Sequence, residues 1–487
     1  MKRALQGLSR IKLQAWHQIG WRLGWRQIRT YRYVAIVLLS SLIVIACNQT
    51  EPTPVASSTP SHSEGEALTI WWDKGFVLEE DEALQKLVDQ WQQQTGNTVN
   101  LSLYTTDDLP QKAQRAQQAG NPPDIMLSHN AERSLNPHLA WQGKLVDVSD
   151  VIEPVKALYP PAILNAVDYY NNIEQKRSYY AVPVSQASIH LFYWRDLIQQ
   201  AGFSDADIPT DWDGFWQFWK QVQDNLPEQE AQKIYGLGFS FSDKAGDTYY
   251  LFEQVLEAYD ADLVSPDGTL QIDTPKAREA IVKSLAWYTQ FYQQGYIPPG
   301  AETWLNPDNN SNLLNRSIVM TPNTSLSIPV TVREDAETYN KMGILEFPNK
   351  PSGEPTRHLI SVKQAIIFAD SEKQQMAKDF LSFFLQPEHI GSYLKLSGGR
   401  NLPVMDPVWN DPFWTNPDDP HLSTSAKTLT SDRLRPFYSV YHPAYSLVTQ
   451  ENVWGRAIQQ IIVDGATVEQ AANQASDRIK TIFEQWK

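Results

Sequence analysis

The stretch Ala67-Leu68-Thr69-Ile70-Trp71-Trp72 is a short apolar run of the kind that forms a buried strand. Beyond it the hydrophobic period changes. Leu84, Leu87, Val88 and Trp91 recur at i, i+3, i+4, i+7 and share one helical face. Glu79, Glu80, Asp81 and Glu82 crowd the first turn of that helix, where the macrodipole favours acids, and Gly96 is placed to stop it. Val99, Leu101 and Leu103 then alternate as a strand, and a helical stretch over 111–119 leads through Gly120 to the apolar Ile125-Met126-Leu127. Strand, helix, strand, helix, strand at this spacing argues for a parallel sheet with crossover helices. Outward from there, Ala277, Ile281, Leu285, Tyr288 and Tyr292 mark a helix, as do Ala377, Phe380, Leu381 and Phe384, and Ala472, Ala475, Ile479, Ile482 and Trp486. Strand-like pieces lie between the first two, at residues 317–320 and 364–368. A chain of this length exceeds the size at which one core usually splits, so the expectation is an α/β protein with more than one lobe.

The N-terminus has a different character. Residues 33–46 are an apolar run preceded by eight basic side chains and no acidic ones, the pattern of an export signal. Its 14 residues fall short of the roughly 20 needed to span a bilayer. The run ends at Ala46 before Cys47, the single cysteine of the chain. Val44-Ile45-Ala46-Cys47 resembles a bacterial lipobox, which implies cleavage after residue 46 and lipidation of Cys47. Residues 47–66, rich in Pro, Ser, Thr and Glu, read as a disordered tether between this anchor and the globular part. One cysteine leaves no internal disulfide and no cysteine-based metal site.

The formal net charge is −15. Removing the leader's eight basic residues leaves 33 basic against 56 acidic side chains, a balance of −23. A nucleic-acid binder needs a basic footprint, so the charge balance argues against that class. There is no Walker loop, no complete G-x-G-x-x-G, no G-x-S-x-G and no H-E-x-x-H. Gly236-Leu237-Gly238 lacks its third glycine, and the nine histidines show no metal-ligand spacing. The positive signal is aromatic. Fourteen of the 17 tryptophans come after residue 46, several beside polar residues, as in Trp71-Trp72-Asp73-Lys74 and Glu302-Thr303-Trp304. A flat ring against the C–H face of a sugar, with polar groups on its hydroxyl rim, would use such pairs. The competing reading makes them core residues with satisfied N–H groups.

The order of segments resembles the family 1 solute-binding proteins of ATP-driven importers, over nearly all of 67–487. The pieces that carry the resemblance begin with Gly120-Asn121-Pro122-Pro123-Asp124-Ile125 and Gly143-Lys144-Leu145-Val146-Asp147. Next come Tyr180-Ala181-Val182-Pro183, Phe192-Tyr193-Trp194-Arg195-Asp196-Leu197 and Pro209-Thr210-Asp211-Trp212. Asn315-Arg316-Ser317-Ile318-Val319-Met320, Ala377-Lys378-Asp379-Phe380 and Gly398-Gly399-Arg400-Asn401-Leu402-Pro403 complete it.

The resemblance implies a two-lobe periplasmic-binding-protein fold with a hinge and an interlobe ligand cleft. Lobe I would hold 67–180 and 357–397, and lobe II 184–350 and 398–487, with crossings at Pro183, near 352–357 and at 398. It implies ligand contacts from Trp72, Asp73 and Lys74, from Ser128 and His129, from Ser185 and Gln186, and from Asn323 in the turn Thr321-Pro322-Asn323-Thr324. Many relatives have Gly-x-Trp at that turn. Its absence leaves Trp304 or Trp454 to supply a stacking ring, and Arg400 is a further contact. The implied function is a monomeric, lipid-anchored receptor that passes a carbohydrate or related polyol to an ABC permease, without catalytic residues, metal or cofactor. An anionic sugar stays open as ligand. The alternative is an exported polysaccharide-active enzyme, which a cleft carboxyl pair with one raised pKa would favour.

Overall fold

The computed structural model describes residues 67–227 and 233–486. Cys47, the apolar leader and the tether lie outside the described residues. The opening run forms β1 (Leu68–Asp73), with Leu68, Ile70 and Trp72 buried. It leads into α1 (Leu78–Thr95), which buries Leu84, Leu87, Val88 and Trp91. Gly96 ends that helix at φ 74°, a left-handed conformation that costs glycine nothing. β2 (Val99–Tyr104) lies parallel to β1 on one side. After α2 (Leu109–Gln118), β3 (Ile125–Leu127) lies parallel to it on the other. Asp124 fixes this register. Its Oδ2 accepts the Thr69 N–H at 2.7 Å and its Oδ1 the Ser371 hydroxyl at 2.6 Å.

A hairpin of β4 (Asp168–Asn171) and β5 (Lys176–Tyr179) precedes the segment that joins the two halves. There β6 (Val182–Ser188) runs almost directly into β7 (His190–Trp194). The remaining strands are β8 (Tyr235–Leu237), β9 (Ile318–Asn323), β10 (Met342–Leu345), β11 (His358–Ile367) and β12 (Leu434–Arg435). The first sheet has the order β12-β11-β3-β1-β2, with β6 also paired to β11, and the second has the order β10-β7-β9-β8. β6–β7 and β10–β11 therefore each pass from one sheet to the other. A third crossing lies beside them, where Leu402 and Gln186 exchange backbone hydrogen bonds of 3.0 and 2.9 Å. This is a mixed α/β molecule of two lobes.

The second lobe is helix-rich. α3 (Trp212–Asn225), α4 (Gly246–Ala258), α5 (Pro275–Gln293) and α6 (Asp308–Leu314) precede or flank β9. Trp212 and Trp216 of α3 meet Trp287 of α5 at 5.1 and 4.8 Å between ring centroids. α7 (Gln374–Phe384) and α8 (Pro387–Leu396) return to the first sheet, where Phe380 meets Trp91 edge-on at 5.4 Å. The last segment does not keep to the second lobe. β12 adds to the first sheet beside β11, satisfying an edge that would otherwise leave backbone groups unpaired. Trp486, just past α9 (Val468–Glu484), meets Trp141 at 5.4 Å.

Candidate functional site

Ligands in open α/β sheets bind beyond the carboxyl ends of the strands. Here the ends of β1 and β3 face the end of β9 and the first turns of α4 and α6 across a cavity of about 210 Å³. His129, Asn130 and Arg133 line it from the first lobe, and Asp247, Tyr250, Asn310 and Asn323 from the second. Lys363 of β11 forms the floor, with Arg400 and Asn401 from the third crossing beside it.

Its cations are matched by carboxylates set behind them. Lys363 Nζ donates to Glu132 Oε1 at 3.1 Å, the His129 carbonyl at 2.8 Å and Ser361 Oγ at 2.5 Å, which uses all three of its N–H bonds. Burial pushes Lys363 down to about 8, against the pull of Glu132. Arg133 shares Glu132 Oε1 at 3.1 Å. Burial alone would raise the Glu132 carboxyl, but the charges of Lys363 and Arg133 outweigh it and hold it below its ordinary value. Arg400 pairs with Glu80 at 2.9 Å. Asp73 Oδ2 accepts both the backbone N–H of His129 at 2.5 Å and its Nδ1–H at 2.7 Å. That leaves His129 Nε2 as an acceptor facing the Asn401 amide at 3.4 Å.

Some polar atoms at the cavity have no hydrogen-bond partner among the described residues. They are Tyr250 Oη, Asn310 Oδ1, Asn401 Oδ1 and Arg400 Nε, all buried. An unmatched buried polar atom costs about 1–3 kcal/mol, so these groups favour a ligand that hydrogen-bonds to them. Asp247 is half-buried at the rim. Burial pushes it up to about 7, with Arg133 pulling against the shift and Asp107 adding to it.

Of the residues expected from the sequence, His129, Asn323 and Arg400 come together at this cavity. Asp73 sits one layer behind, orienting His129 rather than capping α1, whose first residue comes directly after Val77. Trp72 does not face the cleft. Although it is the penultimate residue of β1, strand alternation turns it into the core at 1% exposure, against Phe384 and Tyr393, and its Nε1–H donates to Tyr393 Oη at 3.2 Å. Lys74 is exposed and is not at the cavity. Gln186 is buried at the hinge, its amide donating to the Pro403 carbonyl at 2.7 Å. The stacking ring assigned to Trp304 or Trp454 is at neither. Trp304 packs in the second-lobe core, and Trp454 is fully buried against Phe252 with its Nε1–H on Tyr445 Oη at 3.1 Å. The aromatic residues lining the cavity are Tyr250 and Phe76, the latter 47% exposed with the Arg400 guanidinium 5.5 Å from its ring.

Arg133, Tyr250, Asp247, Asn310 and Lys363 were not legible as site residues. Lys363 lies just before the strand-like piece read at 364–368, and only the structure shows that it sits in the middle of a fully buried strand.

The chain belongs to the bacterial extracellular solute-binding proteins, whose family model matches residues 86–424. A binding protein of Brucella abortus strain 2308 is 24% identical over 227 residues, 45% of this chain and 49% of that protein. The chain thus spans about half the length of that relative. The diacetylchitobiose binding protein DasA of Streptomyces coelicolor is 20% identical over 69% of this chain and 72% of its own. Among solved structures, an ABC transporter solute-binding protein of Thermotoga lettingae bound with α-D-tagatose superposes with a TM-score of 0.69 at 18% identity. That superposition covers 86% of this chain and 99% of the other. Among the described residues no helix is long and apolar enough to cross a membrane.

Proposed function

We propose that this solute-binding protein captures a carbohydrate or related polyol between its lobes and delivers it to the permease of an ABC importer. The observation that carries the reading is the chemistry of the cleft. Its cations have carboxylates behind them, while its unmatched atoms are a phenol hydroxyl, two amide oxygens and one guanidinium nitrogen. Such a surface is suited to hydroxyl groups, which donate and accept without bringing charge. Phe76 offers an exposed ring to a C–H face. The crossings at Ser188–His190, at 345–358 and at Leu402 would let the lobes close on the ligand, which shifts an open–closed population. Lipidation of Cys47 would hold the receptor at the outer face of the cytoplasmic membrane, acting there as a monomer.

The protein does no chemistry in this reading. Asp247 and Asp107 do lie near each other at the rim, the arrangement a hydrolase would exploit, but the family and the relatives are binding proteins. Thermal unfolding of the full-length protein against sugars, polyols, sugar phosphates and peptides tests the proposal. A ligand at 100 times its Kd adds roughly 2.7 kcal/mol, so a shift for one uncharged sugar class is expected. A shift only with sugar phosphates or peptides would overturn the neutral-sugar reading. Cleavage of an oligosaccharide by the wild type, lost in Asp247→Asn, would establish the enzyme instead.

A further inference from the structure

The cavity at β1, β3 and β9 is the smaller of two that meet. A second one, of about 620 Å³, opens beside it. Asp107, Asn130, Arg133 and Asn306 line both, so the two are chambers of one cleft joined at a neck. The neck is a contact between lobes. Asp107, in the loop after β2, accepts on Oδ1 from the Asn130 amide at 3.4 Å and from the Asn306 amide of the second lobe at 3.2 Å. Asn306 in turn accepts the Asp247 N–H at 3.1 Å.

The sizes of the chambers matter. Sites for small molecules usually hold about 300–1,000 Å³, so the inner chamber at 210 Å³ is small for anything beyond one ring. The outer chamber has nearly three times that room. Its wall on the first lobe is one face of α2, where Gln111, Gln114 and Arg115 stand at i, i+3 and i+4. The wall opposite carries Asp243, Lys244, Thr449 and Gln450. The side chains of Gln111, Gln114, Arg115 and Lys244 have no hydrogen-bond or ion-pair partner among the described residues. The outer chamber is therefore amide-rich and open, whereas the inner one is tightly networked.

We infer that the solute is a linear oligosaccharide, with one terminal ring in the inner chamber and the next rings in the outer one. This rests on the carbohydrate reading above. The terminal ring meets Tyr250, Asn310, Asn401 and Arg400. The glycosidic link passes the polar neck at Asp107 and Asn306, and later hydroxyls meet Gln111, Gln114 and Lys244. Recognition of the inner ring sets which sugar binds, and the outer chamber sets how many rings contribute.

Titration calorimetry on the full-length protein with malto-, cello-, laminari- and chito-oligosaccharides of one to five rings tests this. Within the series that binds, the trisaccharide is expected to bind at least about tenfold tighter than the single ring, the yield of one or two added hydrogen bonds. The double variant Gln111→Ala/Gln114→Ala, at one exposed and one half-buried position, should lose about tenfold for the trisaccharide while leaving the single ring within about twofold. Equal affinity for one ring and three, or equal loss for both in the variant, would overturn the inference and leave the receptor reading standing. Silence in all four series with binding of a non-sugar would overturn both.

Discussion

Around Trp216 six aromatic rings lie with centroids within 6.3 Å: Trp212, Phe215, Phe239, Trp287, Phe291 and Phe347. The cleft wall next to this lobe offers Tyr250 and Phe76. The interior of the second lobe thus takes aromatic residues in bulk and leaves even indole N–H groups unbonded, as at Trp212, Trp216 and Trp219. The cleft takes few, and in its inner chamber sets Arg133, Lys363 and Arg400 each against a carboxylate. The difference is one of purpose. Ring edges against ring faces stabilise through area and quadrupole geometry and tolerate a missing hydrogen bond. A binding surface must keep its polar atoms aimed and available, so the inner-chamber cations are fixed from behind while the amide oxygens of Asn310 and Asn401 are left free.

Acid should act on the interior first and most strongly. Burial holds His190, His358 and His421 down to about 4, well below their ordinary value of 6.5. Their depressed folded pKa values mean that the unfolded chain takes up protons first as pH falls. Stability is fully present above about 6.5 and is lost progressively down to about 4, by up to about 3 kcal/mol per histidine. Chemical denaturation at pH 7.5 and 4.5 should show this loss. A flat profile would mean the three imidazoles are not buried together.

Trp216→Ala should cost about 3–5 kcal/mol of folding stability while the folded fraction keeps its ligand affinity. A large affinity loss there would erase the distinction between core and cleft. Phe76→Ala should do the reverse, weakening sugar binding by about tenfold with an unchanged melting temperature. If stability falls and affinity holds, Phe76 belongs to the packing and the cleft has no stacking ring.

The smallest effect concerns Asp247. Its raised folded pKa means that stability is present at low pH and lost as pH rises through about 7. That loss runs from about 3.8 to about 7, so Asp247→Asn should raise the melting temperature more at pH 8 than at pH 5, by a degree or two, because Asp247 is only half-buried. An equal rise at both would make desolvation of its charge irrelevant.

Much of the first lobe was readable because its signals are local. Leu84, Leu87, Val88 and Trp91 announce α1, and Gly96 its end, from spacing alone. β11 was visible only in its apolar second half; the structure begins it at His358, where polar residues are buried because both neighbouring strands and α4 cover them. The site was less legible. His129, Asn323 and Arg400, expected from the order of motifs, line the cavity, whereas Trp72 and Trp454 lie in the core, because a tryptophan beside polar residues reads alike in a core and in a cleft.

The amino-acid sequence by itself determined the strands, helices and motif order that make a two-lobe α/β binding protein, since periodicity and turn chemistry act over a few residues. Only the tertiary structure decided which polar groups meet. Glu132 and Lys363 are far apart in the chain yet lie 3.1 Å apart in space, and so are Glu80 and Arg400 at 2.9 Å. Pairings of that kind depend on where the chain crosses between sheets, and no local pattern encodes the crossing.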